Sequence, residues 1–549
     1  MRHPILLLSA LVAGMALLGG CGETGGDQFH NKIAPKILPD GTAVLRKGNG
    51  AEPGTLDPHK AQGVPAANIL RDLYEGLVSE KPDGTLEPGG AASWEISEDR
   101  TVYTFHLREA ARWSNGEPVT ASDYAYGLRR TVDPATGSVY ASILAPIENA
   151  EAIVAGDKPP QALGVEVVDD HTLRIRLKAP TPYFLGLLTH STTYPVYRPA
   201  VEAHGDQFTQ PENAVTNGAY TLEEWVVASH IALAADPEYW DAENVGVQRV
   251  EYYPITDAAS ELKRYQAGGL DWTGTVPIPE LEKLKRHIPD QFRVQPSLSN
   301  YYYGLNVTRP PFKDAPKLRR ALSLAIDRET IVEKITRGGE IPAYSWVPPV
   351  VSDYEGARLD YADWSRDKRI EAARRLYREA GYTEDEPLEV EIRYNTMESH
   401  KKIASAIANM WKTTLGADVT LINEEWKVFL QNVSEREVTE VYRAGWVGDY
   451  DDPYTFLELL HSEFGINGAG YDNPRYDALL EKASRTAGGE ERRRLLREAE
   501  ALLLSDHPVI PIFFGTSKKL IKPYVEGYVG NPMGHYYSKD IRIRAEDAG

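Results

Sequence analysis

The chain has 549 residues, and 60 Lys+Arg set against 80 Asp+Glu leave a formal charge of −20 at pH 7. That balance excludes nucleic acid as a partner, because displacing counterions from phosphates takes a basic face. Hydrophobic residues at 42% and charged residues at 26% exclude a disordered chain and predict packed cores, roughly three or four units of about 150 residues. With one cysteine, Cys21, neither an internal disulfide nor a multi-cysteine metal site can form, and stability has to come from packing.

The chain opens Met1-Arg2-His3, runs apolar from Ile5 to Leu18 and continues Gly19-Gly20-Cys21. This run is shorter than the ~20 residues of a membrane span and has the form of a secretory signal over residues 1–20. The cysteine that closes it resembles the lipidated first residue of a bacterial lipoprotein. Export, a membrane anchor through lipid on Cys21 and a place in the cell envelope on the periplasmic side are therefore expected. Gly22 is not the aspartate that retains lipoproteins on the inner membrane, and the choice of membrane stays open. Residues 21–39, rich in Gly and polar side chains, read as a flexible tether.

Period-two patterns occur through the body: Tyr103, Phe105, Leu107, then Leu173, Ile175, Leu177, then Leu388, Val390, Ile392, Tyr394. Each reads as a half-buried strand. Helical spacing appears at Leu318, Ala321, Leu322, Ala325, Ile326, at Ile403, Ile407, Met410, Trp411, and at Leu495, Leu496, Ala499, Leu502, Leu503. The mix predicts an α/β protein with a strand-rich first third and long helices after about Lys317. Tyr and Trp are abundant, 31 and 10 against 11 Phe; their polar edges suit walls that meet a partly polar ligand, and most also suit ordinary packing. In Tyr301-Tyr302-Tyr303 a strand would turn Tyr302 away from its neighbours.

Catalytic signatures are missing. There is no G-x-S-x-G, H-E-x-x-H or P-loop pattern, and the 13 histidines are scattered. Asp449, Asp451 and Asp452 do not make a calcium loop, since Pro453 interrupts and the required glycine and terminal glutamate are absent. Neither enzyme activity, cofactor nor metal is expected.

Leu56-Asp57-Pro58-His59-Lys60, Arg71-Asp72-Leu73-Tyr74-Glu75-Gly76-Leu77, Ala92-Ser93-Trp94-Glu95, Tyr103-Thr104-Phe105-His106-Leu107-Arg108, Trp113-Ser114-Asn115-Gly116-Glu117-Pro118-Val119-Thr120, Thr216-Asn217-Gly218-Ala219-Tyr220 and Arg443-Ala444-Gly445-Trp446 together resemble the extracellular solute-binding proteins of family 5 that serve peptide ABC importers, in the oligopeptide-binding branch. The resemblance runs from about Thr42 to Tyr537. It implies a two-lobed clamp of the periplasmic-binding-protein type (type II, cluster C) with an extra subdomain. Lobe I would comprise 40–75, 200–298 and 516–549, the subdomain 76–199 and lobe II 299–515. It also implies a monomeric receptor for short extended peptides, working with the transmembrane subunits of an ABC permease.

The site residues come from the same resemblance. Asp449 would meet the peptide's α-ammonium, although its local sequence reads equally well as an exposed loop acid. Arg443 and His400 would meet the carboxylate, with an ion pair and a helix start as their structural alternatives. Asn395, Tyr140, Tyr302, Trp426, Trp446, Val64 and Gln62 would line the cleft, with packing as the alternative. The chain departs from the family at a second arginine, replaced by Val433 or Ser434, at a cleft glutamate, replaced by Gln62, and at a cysteine pair, replaced by Ser299 and Val447. Two narrower readings stand beside the main one, a receptor for murein peptides and a peptide-sensing lipoprotein; a hydrolase lacks any nucleophile–base pair.

Overall fold

The computed structural model describes residues 34–544. The signal segment, the Cys21 lipidation site and most of the tether lie outside the described residues. Within the stretch read as tether, Lys36–Ile37 already pair with Val44 and Ala43 as an antiparallel strand.

The alternating segments form strands whose apolar face is buried. Tyr103, Phe105 and Leu107 are buried along Val102–Leu107, and Tyr103 and Phe105 stand opposite Ile175 and Leu173. These strands belong to a four-stranded antiparallel sheet in the order Ala91–Ile96, Val102–Leu107, Thr172–Arg176, Val165–Asp169. A five-stranded sheet runs Lys36–Ile37, Ala43–Gly48, Arg249–Tyr253, His230–Ala235, Tyr220–Val226. One continuous apolar cluster, from Leu45 through Phe105 to Tyr252, fills both.

The second half builds a six-stranded sheet in the order Ile341–Pro342, Val509–Leu520, Phe292–Leu305, Val441–Val447, Glu389–Asn395, Asp418–Glu424. The helices predicted from spacing pack on it: Pro316–Ala325, Glu398–Leu415 and Gly489–Asp506. Leu318, Ala321, Leu322 and Ala325 are fully buried in a second cluster, and the Trp411 indole N–H donates to the Leu322 carbonyl at 3.0 Å.

Two long strands join the halves. Phe292–Leu305 and Val509–Leu520 pair over most of their lengths, with the register shifting between Pro296 and Asn300. Single bridges from Trp272 to Lys47 and to Ile521 connect their first-half ends to the five-stranded sheet. Proline cannot donate to a ladder and sits naturally at such an irregularity, so the boundaries implied at 298/299 and 515/516 fall inside paired strands, beside a break in register.

Glu500, fully buried on Gly489–Asp506, anchors the loop that leads into the cleft. Its carboxylate accepts the backbone N–H of Trp346 at 2.8 Å, Val347 at 2.9 Å and Ala357 at 2.8 Å, and the Tyr354 hydroxyl at 2.8 Å. Each buried donor left stranded costs about 1–3 kcal/mol. Glu500→Ala is therefore expected to lower the unfolding free energy by about 3–5 kcal/mol, measured by urea denaturation with wild type alongside.

Candidate binding cleft

The cleft is organised by the strand Val441–Val447. On one side it pairs with Phe292–Leu305 along its whole length, Val441↔Leu305 to Val447↔Ser299. On the other side the ladder with Glu389–Asn395 holds only Val441 and Tyr442. From Arg443 to Val447 that side of the strand has no neighbouring strand among the described residues. Such a stretch can accept an added extended chain. Register sets the faces: Tyr302 and Trp446 share one, while Tyr301, Tyr303 and Arg443 share the other. Ser299 and Val447, the two positions without the family's cysteines, stand directly opposite one another.

Beyond the strand the chain dives under Leu298. A Cβ at Gly448 would lie 2.7 Å from Leu298 Cδ2, and the Gly448 N–H donates to the Leu298 carbonyl at 2.8 Å. A Cβ here would have to displace the Leu298 and Phe456 side chains, and the close approach carries Asp449 inside. The Asp449 N–H donates to Thr455 Oγ1 at 3.1 Å. Its side chain is 12% exposed, with Oδ1 3.6 Å from His190 Nε2, and Oδ2 is buried with no hydrogen-bond partner. Burial pushes the carboxyl up to about 7, against the opposing pull of the Arg71 charge and the Thr455 hydroxyl.

The neighbouring acids diverge. Asp451 accepts from the Ser352 hydroxyl at 2.6 Å, and Asp452 takes two bonds from Arg492, at 2.7 and 2.8 Å. Among the described residues no group of three His, Cys, Asp or Glu side chains could hold a metal ion.

Arg443 marks the opposite end of the strand. Its guanidinium lies 4.7 Å over the Tyr301 ring, Nη1 donates to Asn395 Oδ1 at 3.2 Å, and Nε is buried without a partner. No carboxylate among the described residues is in ion-pair contact with it. His400, buried in the first turn of Glu398–Leu415, has Nδ1 3.2 Å from the Tyr301 hydroxyl. Burial, then the Arg443 charge, hold its imidazole well below the usual range, so it is neutral and offers hydrogen bonding without charge. At about 3.3 Å per residue, the strand from Arg443 to the turn before Asp449 measures on the order of 15–20 Å.

The walls come from both halves. The ring of Tyr140 lies 5.0 Å from that of His190 and 6.3 Å from that of Trp446, stacked on the latter. Tyr302 meets Trp346 edge-on at 4.8 Å. Tyr183 lies between Tyr450 at 4.7 Å and Tyr454 at 5.2 Å, stacked on both. A Cβ at Gly63 would come within 3.2 Å of the Trp426 indole, so the Gln62–Val64 segment faces Trp426 across the gap. Gln62 is half-buried and Val64 is 51% exposed. Val433 packs on the second core and Ser434 is exposed, so neither supplies a cation.

Sequence reasoning missed Arg71, His190, Tyr183, Thr455 and Tyr301. For Tyr301 a signal existed: strand alternation puts it opposite Tyr302 and on the face of Arg443. Arg71 lies within one of the family motifs, but its effect on Asp449, some 380 positions away in the chain, has no local signature.

A family model described as bacterial extracellular solute-binding proteins, family 5 Middle, matches residues 85–468. The periplasmic oligopeptide-binding protein OppA of Salmonella typhimurium is 43% identical over 504 residues, covering 91% of this chain and 92% of its own. The structure of Haemophilus influenzae OppA in complex with RPPGFSPFR superposes with a TM-score of 0.89 at 37% identity, covering 92% of this chain and all of the other. That of the Escherichia coli murein tripeptide binding protein MppA gives 0.90 at 38% identity, covering 93% and 99%, whereas the unliganded open form of MppA gives 0.65 at the same identity, covering 93% and 98%. The two halves are thus arranged as in the first MppA structure and differently from the open one.

The Tyr183 stack bridges the halves. Aromatic pairs are worth about 0.5–1.5 kcal/mol beyond their burial. Tyr183→Leu, which keeps an apolar filler, is expected to weaken capture of a tripeptide by about tenfold, roughly 1.4 kcal/mol, in calorimetry; an unchanged affinity would remove the stack from the closing interface.

Proposed function

The chain belongs to the bacterial extracellular solute-binding proteins of family 5, and from that premise we propose that it is the peptide receptor of an ABC importer, holding short peptides extended between Asp449 and Arg443 and passing them to the permease. The family consists of substrate-binding proteins with a place in the periplasm or cell envelope. We add that the chain is held there by lipid on Cys21, that its lobes follow the limits 40–75 with 200–298 and 516–549, 76–199, and 299–515, and that it cleaves nothing it carries.

The observation that carries the binding mode is Asp449 Oδ2, a buried acceptor with no partner, at one end of a strand edge whose other end holds Arg443, which has no carboxylate in ion-pair contact among the described residues. A receptor for peptides of many sequences has to rely on what they share, an ammonium, a backbone and a carboxylate. Asp449 supplies the negative pole, the open side of Arg443–Val447 the backbone partner, and Arg443 the positive pole, with a planar fork suited to a carboxylate. His400 assists as a neutral hydrogen-bonding group. Side chains of an added strand point alternately to the two faces, toward Tyr302, Trp446 and Tyr140 on one and toward Tyr301 on the other. Water in such pockets adapts its hydrogen bonds to different guests.

Removing one partner of a buried pair costs about 3–5 kcal/mol, which converts to roughly 10²–10³-fold or more in affinity. Calorimetry with trialanine is expected to show a loss of that size for Asp449→Asn, and a similar loss when wild type meets N-acetyl-trialanine. Indifference to acetylation would overturn the assignment of Asp449. Trialanine set beside murein tripeptide in the same experiment separates a general peptide receptor from a cell-wall one.

The pH dependence has a definite sign. The free carboxyl sits at about 7, and the ammonium binds only its ionised form, lowering the carboxyl's pKa in the complex. Affinity for a free-amino peptide therefore falls, by up to about tenfold per unit, as the pH drops below about 7, and falls again above about 8 as the peptide's own ammonium deprotonates. A tripeptide titration between pH 5 and 8.5 measures this; a flat profile would contradict it.

A further inference from the structure

His190 reaches Asp449 from a part of the chain that shares no sheet with it. It precedes the short Ser191–Thr193 turn, whose Thr192 backbone N–H donates to His190 Nδ1 at 3.3 Å, with Thr192 Oγ1 2.9 Å from the same nitrogen. A backbone N–H can only donate, so Nδ1 presents its lone pair, and in the neutral imidazole the proton is on Nε2. That N–H faces Asp449 Oδ1 at 3.6 Å, a few tenths of an ångström beyond a hydrogen bond. The Tyr140 ring at 5.0 Å fixes the plane of the imidazole.

We propose that His190 is a positioning residue of the ammonium site: its Nε2–H faces Asp449 Oδ1 and fixes the orientation of the carboxylate that meets the ligand. The proposal rests on the reading that Asp449 receives the peptide's ammonium. It accounts for the unequal surroundings of the two oxygens, one facing a donor and the other with none.

The charges around the pair favour a neutral histidine. Arg71, on the helix Val64–Leu73, and His535, in the C-terminal segment, both disfavour a second cation, and burial is the largest effect, pushing the imidazole down to about 3. Arg71 at the same time favours the Asp449 carboxylate. On the other side Glu458 is hydrogen-bonded by the Tyr450 hydroxyl at 2.6 Å and burial holds its carboxyl well above the usual range, while Asp452 is neutralised by Arg492. Thr455 Oγ1 accepts the Asp449 backbone N–H, its hydroxyl also acts on the Asp449 carboxyl, and Tyr140 covers the histidine. The imidazole N–H is the donor that faces Oδ1 from the other half, acting as a dipole. Because the two residues come from different halves, their contact belongs to the closed arrangement, and a ligand that keeps Asp449 ionised strengthens it.

Two substitutions separate this from a packing role. His190→Phe keeps an aromatic face against Tyr140 and removes the N–H; His190→Gln removes the ring and keeps a donor at similar reach. Calorimetry with trialanine from pH 5.5 to 8.5 is expected to show about tenfold weaker binding for His190→Phe at pH 7. The pH midpoint should also move upward, because a carboxylate that loses a donor to its charged form is harder to ionise. His190→Gln should stay within about threefold of wild type with an unmoved midpoint. Wild-type behaviour of the Phe variant, or equal damage in both, would overturn the proposal. Asp449→Asn in parallel keeps the two levels apart: undiminished binding there would sink the ammonium site itself, whereas loss there with an intact Phe variant sinks only the role of His190.

Discussion

A carboxylate taken almost entirely out of water, with one oxygen unpartnered, is a poor anion until a cation meets it. Asp449 is in that position, and much of the cleft serves to hold it there. Gly448 lets the backbone pass under Leu298, Thr455 receives the Asp449 N–H, and Arg492 takes up the neighbouring Asp452, so that one acid of the group is left without a full partner. The balance is close. Burial alone would keep the carboxyl protonated; the Arg71 charge from the other half pulls it back to about 7. In the binding mode we propose, a guest's ammonium completes this arrangement, and the site selects a charge while staying indifferent to the side chains behind it.

Indifference to sequence has its own structural requirement. Specific pockets would exclude most peptides, whereas a strand edge recognises any backbone. The ladder on one side of Val441–Val447 stops after Tyr442, which leaves that edge of the strand without a neighbouring strand among the described residues. The walls are mainly tyrosine and tryptophan, which pack on apolar groups and still offer a hydroxyl or an N–H. A neutral His400 beside Arg443 leaves one fixed positive point at that end of the strand, and in the proposed mode guests of different length meet it directly or through water.

How much of this was legible in the sequence depended on whether the cause was local. Alternation identified Val102–Leu107, Thr172–Arg176 and Glu389–Asn395, and 3.6-residue spacing identified Pro316–Ala325, Glu398–Leu415 and Gly489–Asp506, because burial of one face acts through neighbours along the chain. The pairing of Lys36–Ile37 was missed, since a two-residue strand has no period to detect. Asp449, Arg443 and His400 could be named only by resemblance; the same letters in isolation fit a loop acid, an ion pair and a helix start. What resemblance did not bring were the partners that set their chemistry. Arg71 and His190 act on these residues across the fold, and such contacts leave no trace in spacing or composition; Tyr301 differs, since strand alternation already sets it opposite Tyr302.

The way the halves are joined explains how so small a set of interactions can govern closure. Covalent continuity passes through paired strands, Phe292–Leu305 against Val509–Leu520, with a register break at Pro296, so the connection can bend there while the ladders on either side remain intact. Across the mouth, by contrast, the halves touch through rings and single side chains: Tyr183 between Tyr450 and Tyr454, Tyr140 on Trp446, Gly63 near Trp426. Aromatic contacts of this kind are worth about 1 kcal/mol each. A ligand held in the proposed mode, at Asp449 and along the strand edge beside it, under walls supplied by the opposite half, would add its differential contacts to one state alone. That difference, and not the total binding energy, decides which state is populated.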